Sequence, residues 1–161
     1  MYQAHLTHTF HAAHRLPHLG GKCANLHGHT WTTTVTITTP QLTEDGTIIE
    51  FGAFKTRMRT WIDNNLDHAA LLGTDDPLTP SLREQGCRVA EFGRAPYGPH
   101  PWPTVEAVAE LIAYHAQTWL AQAENHADEH GTWYSDTPTR CRITQVTVQE
   151  TPTNTATWTE S

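Results

Sequence analysis

Tyr2-Gln3-Ala4-His5-Leu6-Thr7-His8-Thr9-Phe10 alternates strictly, and its reading decides the fold. Tyr2, Ala4, Leu6, His8 and Phe10 fall on one parity, and Gln3, His5, Thr7 and Thr9 on the other. A period of two is that of a strand with one face packed and one wet. Ala12 and His14 continue the parity of Phe10, which turns the His14 imidazole toward the packed face. Arg15 to Asn25, punctuated by Pro17, Gly20 and Gly21, reads as a loop. A second strand starts near His29 and runs to Thr39, rich in Thr, Val, Ile and Trp. Its Trp31, Val35 and Ile37 share the parity of His27 and His29.

Two histidines spaced i, i+2 on a strand project to one side. His27 and His29 can therefore reach one metal ion, and His14 can supply a third ligand. Three neutral imidazoles with an open fourth position are a catalytic zinc arrangement, although imidazole also suits copper, iron and nickel. His5, His8, His11 and His18 read as ordinary surface or core histidines. Cys23 follows a Gly20-Gly21 loop and precedes the pair in Cys23-Ala24-Asn25-Leu26-His27-Gly28-His29. A thiol beside a metal can ionise and serve as base or nucleophile. It could instead be a fourth ligand closing the site.

The remainder supplies a scaffold. Glu44-Asp45-Gly46 reads as a turn and Thr47 to Phe51 as a third strand, forming a hairpin. Helix one is expected over Gly52 to Asn65, with Phe54, Met58, Trp61 and Ile62 at helical spacing. Leu66 to Leu72, with Asp67 beside His68, reads as a surface turn. Gly73 to Trp102 carries five prolines and reads as a long loop with a short strand near Arg88 to Phe92. Helix two opens at Thr104, an N-cap after Pro103, with Val105, Val108, Ile112, Ala116, Trp119 and Ala123 as its stripe. Glu124 to Asp136 reads as a polar connection. Arg142 to Glu150 is a fourth strand, and Ala156 to Thr159 adds a short one. Val146, Val148 and Glu150 share a face; a carboxylate ending an apolar row suggests a ligand anchor. The expected architecture is α+β, an antiparallel four-stranded sheet with two helices on one face.

Composition bounds the function. The 161 residues suit one domain, read as spanning 1–161. A net charge of −7 argues against a partner held by phosphate contacts, hence no nucleic acid. No apolar run approaches the roughly 18 residues of a membrane span, and the N-terminus lacks a secretory pattern. Three cysteines form no disulfide framework and fit a reducing cytoplasm. With a mean hydropathy of −0.53, burial at an oligomer interface would help the modest core.

Taken together, these blocks resemble the 6-pyruvoyltetrahydropterin synthase superfamily, and most closely its bacterial 6-carboxy-5,6,7,8-tetrahydropterin synthase branch. The carriers are Phe10-His11-Ala12-Ala13-His14-Arg15-Leu16, Cys23-x-x-x-His27-Gly28-His29 and Ile48-Ile49-Glu50-Phe51. Leu66-Asp67-His68, Pro103-Thr104-Val105-Glu106 and Val146-Thr147-Val148-Gln149-Glu150-Thr151 follow in the family's order. The resemblance implies a T-fold assembling into an oligomeric barrel, a hexamer of two trimers with active sites between subunits. It implies zinc on His14, His27 and His29, Cys23 as the catalytic thiol, Asp67 and His68 as a proton-transfer pair, Glu150 as the pterin anchor and Thr104 beside the pterin. The implied substrate is 7,8-dihydroneopterin triphosphate. The implied products are 6-carboxytetrahydropterin, acetaldehyde and triphosphate, on the queuosine or 7-deazapurine route. The sister outcome is a pyruvoyl product. A non-catalytic pterin- or metal-binding module and a zinc hydrolase are further alternatives. The chain departs from the family at Trp31, where a smaller aromatic is usual, and in the length of Gly73 to Trp102. Lys22 and Arg15 are the cations near the site in sequence that a triphosphate would need.

Overall fold

The computed structural model describes residues 1–124 and 141–161. In chain order these form β1 (Tyr2–His14), β2 (His27–Thr39), α1 (Phe51–Asn65), β3 (Ala69–Gly73) and α2 (Leu78–Glu84). There follow β4 (Val89–Phe92), α3 (Val105–Glu124), β5 (Arg142–Thr151) and β6 (Asn154–Thr159). Two short 3-10 turns, Pro17–Leu19 and Gly21–Ala24, lie between β1 and β2. Among the described residues no helix is long and apolar enough to cross a membrane.

One sheet holds all six strands, in the order β4-β3-β1-β2-β5-β6. The alternation of β1 and β2 pairs them antiparallel along their whole length, with Phe10 opposite Trp31, Ala12 opposite His29 and His14 opposite His27. The packed parity is buried as the sequence indicates: Leu6, Phe10, Ala12, Trp31, Val35 and Ile37 have almost no exposed surface. Val146 and Val148 of β5 join them. Against this face lie Phe54, Met58 and Ile62 of α1 and Val108, Ile112, Ala116 and Trp119 of α3. Each such fully buried large side chain contributes about 1.5–3 kcal/mol of transfer free energy. The two helices meet through Phe54 and Trp119, with ring centroids 6.2 Å apart. On the other face, threonines hydrogen-bond across strands, as in Thr7–Thr34 at 3.0 Å and Thr147–Thr157 at 3.2 Å.

Several expectations are corrected. The sheet has six strands, not four, and it is mixed: β3 pairs parallel with β1, and β4 parallel with β3. Residues 69–73 are buried throughout, so they show an unbroken apolar run instead of alternation, as strands covered on both faces do. Thr47 to Phe51 is not a strand, and the expected hairpin is absent. Glu50 instead caps α1, its carboxylate accepting from the amides of Gly52 at 2.6 Å and Ala53 at 2.8 Å. Such a cap is worth about 1 kcal/mol. Among the described residues three helices are present, not two, because the stretch from Gly73 to Trp102 also holds α2; its expected short strand is present as β4. The polar connection read over Glu124 to Asp136 lies, beyond Glu124, outside the described residues.

The segment 73–102 is held together internally by charge and by close approach. A Cβ on Gly73 would meet the Pro101 carbonyl oxygen and, at 2.8 Å, the ring of Trp102. Glycine is what lets that chain lie against β3. The buried carboxylate of Glu91 is paired with Arg83 at 2.6 Å and Arg94 at 3.0 Å.

Candidate metal centre and surrounding groups

The paired ends of β1 and β2 place His14, His27 and His29 on one face. Each offers a ring nitrogen, and these atoms lie within 4.8 Å of one another. His14 is buried, while His27 and His29 are half-buried. Beneath them sits Trp31, edge-on to His14 at 5.0 Å and to His29 at 5.8 Å. Its indole Nε1 donates to the Ala12 carbonyl at 3.1 Å, so the larger aromatic is accommodated with its polar atom satisfied. Trp31 is the floor of the cluster.

Hydrogen bonds set the imidazole tautomers. A carbonyl can only accept, so His14 Nδ1 donates to the Pro103 carbonyl at 3.0 Å and His27 Nδ1 donates to the Asn25 carbonyl at 2.7 Å. In the neutral rings this leaves Nε2 of both as lone pairs, the arrangement that metal-binding histidines use. Nε2 of His14 and of His29 are buried and without a hydrogen-bond partner. Glu150 Oε1 stands 3.1 Å from the first and 3.8 Å from the second, without hydrogen-bond alignment. A carboxylate and imidazole lone pairs are all acceptors, and only a cation between them makes the contact favourable. Burial pushes the His14 pKa below its ordinary value, against the raising effects of the Pro103 bond and of Glu150. His29 is lowered by the same desolvation. Protonation is therefore disfavoured, and a divalent cation fits the donor set.

Glu150 completes the row Val146, Val148, Glu150; the register shift between Gln149 and Thr151 leaves it out of the backbone ladder with β6, while its Oε2 accepts from Asn154 Nδ2 at 3.4 Å. The shift frees the residue at the point where the strand passes the imidazoles. Thr104 caps α3, its Oγ1 accepting from the Ala107 amide at 3.2 Å. The preceding Pro103 carbonyl is the group that fixes His14, so the start of α3 borders the cluster.

Cys23 lies exposed on the second 3-10 turn. Among the described residues, the group of mutually close ligand atoms contains the three histidines and not this thiol. Asp67 and His68 form a pair, Asp67 Oδ2 to His68 Nδ1 at 2.6 Å. The other oxygen of Asp67 accepts from the His11 amide at 2.7 Å, and the His68 amide donates to the His11 carbonyl at 2.6 Å. Burial opposes ionisation of Asp67, but the His11 amide and the His68 ring outweigh it and hold the carboxyl below its usual range. His68 adopts a φ of 54°, the left-handed region uncommon outside glycine. Arg88 Nη1 donates to the carbonyls of Asp63 at 2.8 Å and Asp67 at 3.1 Å, bracing this turn.

The structure brings some predicted groups together and keeps others apart. His14, His27, His29 and Glu150 converge. The His68 ring lies 5.9 Å from that of His11, whose side chain bonds Thr30 on the polar face of β1 and β2. That is the opposite parity from the metal cluster, so within one chain Asp67 and His68 are not joined to it. The carbonyls of Pro103 and Asn25, and Arg88, were not legible in the sequence, since a carbonyl acceptor carries no residue signature.

The sequence model of the 6-pyruvoyl tetrahydropterin synthase family matches residues 4–161. Among curated proteins the chain is similar to the 6-carboxy-5,6,7,8-tetrahydropterin synthase of Rickettsia typhi: 34% identical over 101 residues, covering 62% of this chain and 69% of the relative. It is also similar to the protein of that name from Bacillus subtilis, 28% identical over 144 residues, covering 89% and 75%. Among solved structures it is similar to 6-pyruvoyl tetrahydropterin synthase of Caenorhabditis elegans, with a TM-score of 0.62, 20% identity and coverage of 99% and 96%. An uncharacterized protein from Wolinella succinogenes gives a TM-score of 0.67 at 20% identity, covering 99% and 98%. At these identities the structural likeness carries the fold, the T-fold that the resemblance implied.

Proposed function

The chain belongs to the 6-pyruvoyl tetrahydropterin synthase family, and on that premise we propose that it is a zinc-dependent lyase. The reaction is conversion of 7,8-dihydroneopterin triphosphate to 6-carboxy-5,6,7,8-tetrahydropterin, acetaldehyde and triphosphate, a step toward 7-deazapurines such as queuosine. The supporting observation is the convergence of three imidazoles, two of them tautomer-fixed by backbone carbonyls, beside the Glu150 carboxylate. The names of the more identical relatives favour the carboxy product over the pyruvoyl one.

In this reading His14, His27 and His29 would hold zinc, which supplies Lewis acidity toward the side-chain oxygens of the substrate and acidifies the neighbouring C–H and O–H groups. Glu150 accepts from the guanidine-like edge of the pterin, a bidentate donor pattern that a carboxylate matches. Thr104, at the start of α3, lies beside the ring. Cys23 takes a proton as thiolate. His68, oriented and polarised by Asp67, passes the next one.

Asp67 and His68 face away from the metal cluster of their own chain. We therefore assign them to the site of a neighbouring copy, with Cys23 and the zinc ligands contributed by the other. Residues 1–161 then act as one T-fold unit within a closed barrel, a hexamer of two trimers. The outer edges of β4 and β6 are the strands that neighbours would pair to remove exposed sheet edges.

The test is incubation of the zinc-loaded protein with 7,8-dihydroneopterin triphosphate and identification of products by mass spectrometry. Carboxytetrahydropterin with acetaldehyde supports the reading. A pyruvoyl product moves the chain to the sister reaction, and unchanged substrate with zinc bound overturns both.

A further inference from the structure

The loop from Arg15 to Leu26 carries Cys23, and three contacts govern its placement. At its root, Arg15 Nε lies 2.9 Å from Asp76 Oδ2. At its neck, the next residue closes the loop: the Leu16 amide donates to the Cys23 carbonyl at 2.7 Å. On its flank, the His18 ring stacks on Trp102 with centroids 4.8 Å apart and planes 22° apart. Trp102 adjoins Pro103, the residue whose carbonyl holds His14. Two of the three partners, Asp76 and Trp102, belong to segment 73–102.

Asp76 is itself immobilised from outside the loop. Its side chain has no exposed surface. Its Oδ1 accepts from the Leu78 amide at 2.9 Å, and its own amide donates to the Gly73 carbonyl at 3.0 Å. A carboxylate removed from water needs a charge partner, and its pairing with Arg15 answers that need. The same pairing engages one of the two cations that the sequence offers for triphosphate.

We propose that Asp76 is a positioning residue for Cys23: through Arg15 it anchors the root of the loop, and so the Leu16–Cys23 closure and the place of the thiol. This rests on the reading of Cys23 as the reacting thiol. It gives segment 73–102 a role in the reaction, as the platform on which the thiol-bearing loop is mounted.

The experiment is hydrogen–deuterium exchange of the zinc-loaded full chain, wild type against Asp76→Asn, combined with steady-state kinetics. Asparagine keeps the shape and the acceptor for the Leu78 amide but loses the charge on Arg15. We expect the Leu16 amide to exchange at least about tenfold faster, with β1 and β2 unchanged. We expect kcat to fall about ten- to a hundredfold through thiol misplacement, with KM and zinc content unmoved. Arg15→Lys, which keeps charge but not the planar fork, should fall between. Unchanged exchange in residues 15–24 of the folded, zinc-loaded variant overturns the proposal, as does faster exchange with kcat intact. If Asp76→Asn does not fold, Arg15→Lys is read by the same two measurements. If the wild type does not turn over the pterin, the functional reading fails by itself, while exchange still decides whether Asp76 holds the loop.

Discussion

Glu150 Oε1 lies 3.1 Å from Nε2 of buried His14, and neither atom has a proton to offer the other in the tautomer that Pro103 imposes. The carboxylate therefore adds negative potential to a cluster of lone pairs, and in the function proposed above it is the group that receives the pterin. Glu150→Gln keeps the shape and removes the charge. We expect zinc content to stay near that of the wild type while KM rises by about ten- to a hundredfold, the scale of a lost charged hydrogen bond of 1.5–3 kcal/mol. Metal analysis alongside KM checks this; loss of zinc would make Glu150 a ligand instead.

Cys23 is exposed and outside the group of convergent ligand atoms. Cys23→Ala should abolish turnover, leave zinc bound and leave the melting temperature unchanged, because little packing is lost. Metal content, thermal melting and product formation on one preparation test all three. Loss of zinc in this variant would convert the thiol into a fourth ligand.

Acid should weaken the metal-free fold in a defined direction. Burial places the pKa values of His14 and His29 below the ordinary 6.5. The unfolded chain therefore takes up more protons than the folded one as pH drops below about 6.5. The contribution of these groups to stability is complete above that pH and is lost progressively as pH falls toward their folded values. Thermal melts of the metal-free protein across this range should show the decline, and replacing His14 and His29 together by Gln should flatten it. Zinc affinity should fall with pH over the same interval, since the proton and the metal compete for the same nitrogens.

Gly73→Ala should disturb the site from a distance. The added methyl would collide with the Pro101 carbonyl and the Trp102 ring. Overpacking of this kind costs about 1–3 kcal/mol. Chemical denaturation measures that loss. Because Trp102 and Pro103 are adjacent, a matching drop in zinc affinity is expected, while Gly46→Ala, which meets open space but is strained by its φ of 76°, should lower stability and leave zinc affinity unchanged.

The pairing of β1 with β2 came from the tertiary structure; by itself, the sequence determined the first two strands, the shared face of His14, His27 and His29, the row ending in Glu150 and the stripes of α1 and α3. These are periodic facts: side-chain direction in a strand or helix follows position in the chain, so burial of one face is written in the order of residues. Only the tertiary structure decided the rest. Ala69 to Gly73 became a central strand because it is covered on both faces, which erases alternation. Thr47 to Glu50 gave up a strand because the Glu50 carboxylate is held by the amides that open α1. Asp67 and His68 turned away from the metal cluster because β3 runs beside β1, so the Asp67 carboxylate accepts from the His11 amide and the His68 amide donates to the His11 carbonyl. The tautomers of His14 and His27 were set by the carbonyls of Pro103 and Asn25, groups that every residue carries and that acquire a role only when the chain brings them within hydrogen-bond distance.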